Sequence, residues 1–97
     1  MIRLFKVSGH SLFPLFQDGE RVFCIKIFNF TKLKISNIVV FNKEPHGLMI
    51  KQIKAIDKEA HDKKSYFVQG TDAFSIDSRD FGSIERESIK YKVLFKF

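Results

Sequence analysis

The chain has 97 residues, enough for one domain with one modest core, and 44% of them are hydrophobic, twelve being Phe. Its single cysteine, Cys24, excludes an internal disulfide and a CxxC metal or redox pair, which fits a reducing compartment. The formal charge of +6 favours weak, non-specific contacts with anionic partners, but the lysines are scattered, so most are expected on solvated strand faces and loops. Apolar runs such as Ile38-Val39-Val40-Phe41 fall far short of the about 20 residues a membrane-spanning helix needs. Residues 1–6 hold no signal-peptide core or small-residue cleavage site. A cytoplasmic location is expected.

In chain order, residues 2–7 are a short apolar segment broken by Arg3 and Lys6, and are expected to be a strand. Pro14 lacks an N–H and disfavours helix at Phe13, so Ser11 is expected in a turn or at a strand end. Residues 17–20 form a turn. Residues 21–28 carry the β-branched and aromatic side chains of a second strand. Residues 29–37 are a polar connection, 38–41 a short buried strand, and 42–47, with Pro45 and Gly47, a turn. Residues 48–56 are the next strand, 57–64 a hairpin loop, 65–69 another strand and 70–82 a long polar loop. In the last strand, residues 88–97, Ile89, Tyr91, Val93, Phe95 and Phe97 alternate with polar positions and are expected on one face. With no sustained 3.6-residue period, the fold class is mainly β, compact and barrel-like, with few or no helices, in a single domain over residues 1–97.

Three stretches carry chemistry. Lys51 shares a strand face with Met49, Ile53 and Ala55, whereas Lys54 faces the other way, toward water. An amine among apolar groups loses its preference for the charged form, which a general base requires. On strand pattern alone, a lysine snorkelling to solvent fits better, because lysines are common here. Ser11 is a nucleophile only if a neighbour takes its proton; otherwise it is a turn serine capping a backbone N–H. His10 is poorly placed beside it, while His46 and His61 remain rival bases. In the loop 70–82, Ser75, Asp77, Ser78, Arg79 and Asp80 are hydrogen-bonding groups, and Asp77 and Arg79 could pair across a turn. Its apolar Phe74, Ile76 and Phe81 imply that the loop folds back on the body.

In this order the stretches resemble the boxes of the type I signal peptidase family. The family's glycine, any residue and Ser-Met-x-Pro appear as Gly9-His10-Ser11-Leu12-Phe13-Pro14. Its lysine box appears as Ile50-Lys51-Gln52-Ile53, with Gln52 where the family has Arg. Its late box appears as Gly70-Thr71-Asp72 followed by Ser75-Ile76-Asp77-Ser78-Arg79-Asp80-Phe81-Gly82, one residue shorter. The segment Ser36-Asn37-Ile38-Val39-Val40-Phe41 is similar to the family's Gly-Asp-Ile-Val strand start.

The resemblance implies the catalytic-core fold shared by signal peptidases and SOS-repressor proteases. It implies Ser11 as nucleophile, Lys51 as general base and Ser75 as the hydroxyl orienting the amine. Gly9, Pro14, Gly70, Asp77, Ser78 and Arg79 would be structural residues near the site. It also implies cleavage of an extended peptide after small residues, in precursor processing, with no cofactor and no metal. The chain looks like the catalytic core without anchor or inserted domain, as in the small soluble members proposed to process metalloenzyme precursors. The partners expected are a protein or peptide bound as a strand and, weakly, the membrane surface; no specific nucleic acid is expected. The alternatives are an autoproteolytic SOS-repressor-type domain and a non-catalytic basic binding module.

Overall fold

The computed structural model describes residues 2–7, 16, 18–28, 31–59, 63–71 and 75–96. Its strands are β1 (Ile2–Lys6), β2 (Arg21–Lys26), β3 (Ile38–Lys43), β4 (Gly47–Lys58), β5 (Lys64–Gln69), β6 (Ile84–Glu85) and β7 (Ile89–Lys96). A one-turn helix, α1 (Ser78–Phe81), and a single 3-10 turn, Arg86–Ser88, complete the described elements. All strands join one antiparallel sheet in the order β1-β2-β7-β3-β4-β5-β6. The protein is mainly β, as expected. The sheet is open rather than barrel-like, because β1 and β6 end the hydrogen-bonded order. With only two residues, β6 is too short to extend a ladder toward β1.

The core lies on both faces of this sheet, and β3 shows why. Val39 and Phe41 point into one cluster with Ile53, Tyr66, Val68, Ile84 and Ile89. Val40, on the opposite face, joins Val7, Phe16, Val22 and Cys24. A central strand covered on both sides needs apolar residues in succession, which accounts for the run Ile38-Val39-Val40-Phe41. By contrast β2 alternates, with Val22 and Cys24 fully buried while Arg21 is exposed and Phe23 and Ile25 are half-buried.

Two expected features change at irregularities in pairing. On β4, Ile53 pairs with Val68 but Ala55 pairs with Phe67, leaving Lys54 as an extra, exposed residue. Lys54 does face away, as expected, but the bulge takes Ala55 off the register of Ile53. On β7, Val93 pairs with Cys24 and Phe95 with Phe23, so Leu94 is the extra residue. The expected stripe therefore breaks twice: a shift at Lys90 puts Ile89 in the cluster of Phe41 and Tyr91 and Val93 against that of Val40, and after Val93 the chain turns Phe95 to the other face, 55% exposed. Phe97, the last of that stripe, lies outside the described residues.

Other boundaries shift by a few residues. The second strand stops at Lys26 rather than Phe28, and β3, β4 and β5 extend into the expected turns and so tighten both hairpins. The β3–β4 turn closes at Gly47, whose φ of 77° lies in the region that favours glycine. The expected loop 70–82 contains α1.

Candidate active site

Lys51 lies in the middle of β4, hydrogen-bonded between β3 and β5, opposite Val39. Val39 and Ile53, its neighbours on that face, are fully buried, and Lys51 itself is only 3% exposed. The strand pattern alone favoured snorkelling; the amine-bearing side chain is instead enclosed with the core. Lys51 also forms part of the wall of a cleft of about 360 Å³. Phe5, Lys6 and Val7 at the end of β1 make one side of it, and Val40, Met49 and Ile50 of the β3–β4 hairpin make the other, with His46 at the exposed rim.

The segment after β5 is clasped onto the sheet beside this lysine. Gln69 pairs with Gln52, so Gly70 leaves β5 next to the level of Lys51. The Gly70 N–H donates to Asp77 Oδ2 at 2.9 Å, and the Val68 N–H donates to Ser78 Oγ at 2.9 Å. Two consecutive side chains thus satisfy backbone donors at the end of β5 that no further strand residue would take.

Asp77 is the centre of the clasp. Arg79 donates to it through Nε at 2.9 Å, through Nη2 at 2.6 Å and through its backbone N–H at 3.0 Å. Burial pushes the Asp77 carboxyl up, but the Arg79 side chain, the Gly70 and Arg79 N–H groups and the guanidinium charge outweigh it and hold the pKa at about 2. The same residue is the N-cap of α1, and its own N–H donates to Asp80 Oδ2 at 3.1 Å, closing a capping box. Gly82 ends the turn by donating its N–H to Ser78 O at 2.9 Å, with a φ of 84°.

Ser75 belongs to this network. Its hydroxyl donates to Asp77 Oδ2 at 3.4 Å and accepts from Arg79 Nη2 at 3.4 Å. Phe81 packs against the core, so the loop does fold back on the body, whereas Ile76 is 46% exposed. Phe74 lies outside the described residues.

The structure thus brings Gly70, Ser75, Asp77, Ser78 and Arg79 together and sets them beside the strand that carries Lys51. Gly9, Ser11 and Pro14 lie outside the described residues, as do His10 and His61. The described residues flanking that stretch, Val7 and Phe16, are both buried in the cluster that contains Val40. The Val7 N–H donates to Glu20 O and its carbonyl accepts from Gly19 N, which ties the two flanks together.

Some features of the site had no prior expectation. The cleft walls at Phe5 and Val7 come from pairing between distant segments. The capping box, however, is written in Asp77-Ser78-Arg79-Asp80 and was available from local spacing alone. Arg86 is a further structural contributor: its Nη2 donates to the carbonyls of Phe28 and Thr31, pinning that connection to the sheet. Gln52, at the position where an arginine was the comparison, donates to Ser36 O at 3.2 Å. Cys24 is buried, and burial raises its thiol to about 11, so it stays protonated at neutral pH. Among the described residues no cluster of His, Cys, Asp and Glu could hold a metal ion, and no helix is long and apolar enough to cross a membrane.

No family model and no curated protein sequence matches the chain.

Proposed function

We propose that the protein is a Ser/Lys endopeptidase with the catalytic-core fold of signal peptidases and SOS-repressor proteases, and that Ser11 and Lys51 are its nucleophile and general base. The observation that carries this reading is Lys51, 3% exposed in the wall of a cleft beside the Asp77–Arg79 clasp. Covalent geometry limits Ser11 to at most about 14 Å from Val7, in the same wall. An amine in such a site is disfavoured as ammonium. Ser75 supports the base: its proton is directed to Asp77, so its oxygen is oriented to accept from N–H donors.

In the proposed reaction, a peptide lies extended in the cleft between residues 5–7 and 48–50, adding as a strand. Lys51 takes the Ser11 hydroxyl proton as Oγ attacks the scissile carbonyl carbon. The Lys51 ammonium then gives that proton to the leaving nitrogen as the C–N bond breaks, leaving an ester on Ser11. Water attacks the ester, Lys51 takes its proton, and the released Ser11 oxygen recovers a proton from the ammonium. The Ser11 N–H is one donor to the oxyanion. Cleavage follows small residues, in the processing of a precursor.

The test is cleavage of a peptide bearing small residues before the cut, by wild type, Ser11→Ala, Lys51→Met and the double variant, with melting curves alongside. Both single variants are expected to lose nearly all activity while remaining folded. The double variant should be hardly worse than either, as for groups that act as a unit. Ser11→Ala cleaving at the wild-type rate would overturn the reading. Mass spectrometry of the purified chain separates an autoproteolytic domain, which cuts itself, from a peptidase acting in trans.

A further inference from the structure

A second cleft, of about 560 Å³, lies between the connection 31–34 and the start of β5, and among the described residues it shares no lining with the cleft at Lys51. Its floor holds fixed donors. Tyr66 is 1% exposed and its ring packs in the core, so only its hydroxyl end meets the cleft. That hydroxyl accepts from Arg86 Nη1 at 3.5 Å, and its own proton has no acceptor among the described residues. Arg86 Nη2 is spent on the carbonyls of Phe28 and Thr31, which hold the guanidinium in place. Its Nε–H and second Nη1 N–H have no acceptor among the described residues. Lys32 and Lys34 enter the cleft from the connection, and Lys63 and Lys64 from the start of β5, all four exposed. Glu59, Glu85 and Glu87 also line it, yet none of these seven charged side chains forms an ion pair among the described residues. Opposite charges that share a solvated space without pairing keep their hydrogen-bonding capacity for a ligand.

We propose that this cleft binds a small phosphomonoester that also carries hydroxyl groups, the chemistry of a sugar phosphate. A phosphomonoester brings about two negative charges at neutral pH and acceptor oxygens that point in different directions. Those oxygens suit donors arriving from the floor and from two chain segments, whereas the oxygens of a carboxylate lie in one plane and share a single charge. Arg86 offers its remaining N–H groups from a guanidinium already held in place, so little freedom is lost on binding. The three glutamates accept from hydroxyls of the same ligand. A phosphodiester chain fits worse, because its successive phosphates would have to pass those carboxylates. Nor is a ring face offered for base stacking: Tyr66 is the one aromatic among the described lining residues, and its ring is in the core. The cleft falls within the roughly 300–1,000 Å³ of small-molecule sites. This site is independent of the proposed peptidase chemistry, since its readout is binding.

The experiment is calorimetric titration of the full chain with glucose 6-phosphate, with inorganic phosphate and with glucose. Saturable binding of glucose 6-phosphate is expected, weaker binding of inorganic phosphate, and none of glucose. Tyr66→Phe removes only the hydroxyl and keeps the ring in the core; it should lower the affinity at least about 10-fold, the scale of a hydrogen bond to a charged group. Lys32→Glu with Lys64→Glu should lower it at least as much. Lys6→Glu with Arg21→Glu makes the same change of charge on β1 and β2, away from this cleft, and should not alter it. Melting curves confirm that the variants fold. No binding of glucose 6-phosphate, or equal binding by wild type, Tyr66→Phe and the Lys32 and Lys64 double variant, overturns the proposal. Inorganic phosphate binding as tightly as glucose 6-phosphate overturns it too, because the hydroxyl contacts would then have no role. So does a single-stranded oligonucleotide complex that the Lys32 and Lys64 changes abolish and glucose 6-phosphate does not displace.

Discussion

Replacing Asp77 by Asn tests the clasp, because it keeps the shape of the side chain and removes its charge. The Asp77 side chain is fully buried, and the Arg79 side chain opposite is 32% exposed. Breaking a buried ion pair costs about 3–5 kcal/mol. The low end, about 3 kcal/mol, is expected here, because Arg79 reaches water and can rehydrate. An Asn at this position offers one acceptor oxygen to four N–H groups that Asp77 now serves with two. The acid behaviour follows from the same group. Its folded pKa of about 2 lies below the ordinary 3.8, so the folded state favours the carboxylate. That stabilisation is fully present above about pH 4 and is lost as pH falls toward 2. The gap, at about 1.4 kcal/mol per pH unit, is worth about 2 kcal/mol. Urea unfolding of wild type and Asp77→Asn from pH 7 down to about 2 should show a stability difference that shrinks by about that amount over the acid range. A cost below about 1 kcal/mol at pH 7, the scale of an exposed pair, would refute the buried clasp. An acid slope identical in the two proteins would refute the role assigned to this carboxyl.

Ser78→Ala leaves the Val68 N–H without its acceptor in a buried setting, and should cost about 1–3 kcal/mol by urea unfolding. Lys51→Met keeps the length and apolar stem of the side chain and should leave the strand folded; a large loss in a melting curve would assign Lys51 a structural role instead. In the wild type, kcat/KM should rise with pH as the Lys51 amine loses its proton, with a midpoint below the roughly 10.4 of a free lysine. A normal pKa measured directly on that amine in active protein would remove it as the base.

What could be read from the chain alone was mostly local. Strand positions followed from β-branched and aromatic content, as in Val22, Phe23 and Ile25 on β2. Lys51 stood out because its same-face neighbours at two residues' spacing are apolar: Ile53 is fully buried and Met49 half-buried. The pairing of Asp77 with Arg79 was legible because two residues across a turn are brought together by the turn itself. The open sheet was not legible: it depends on which strands end the order, and β6 is two residues that carry no periodicity. Nor were the bulges at Lys54 and Leu94. An extra residue in a strand is set by the twist and register of its partner, and a one-residue shift sends all later side chains to the opposite face. For Phe95 that shift turned an expected core residue into an exposed one.

The clasp connects these local and non-local features. Asp77 and Ser78 each hold a backbone N–H at the end of β5, two residues apart, at Gly70 and Val68. Val68 and Gln69 are the residues that pair with Ile53 and Gln52 of β4. The clasp therefore fixes the β4–β5 register next to Lys51, below the bulge at Lys54 where that register has already shifted once. A slip by one residue there would exchange the faces of Gln52 and Ile53 relative to β5 and move Gly70 away from the level of the lysine. A buried carboxylate held by a guanidinium and two backbone N–H groups is a costly arrangement for a loop whose only task is to connect β5 to β6. Under the proposed function, this loop positions the Ser75 hydroxyl for the Lys51 amine.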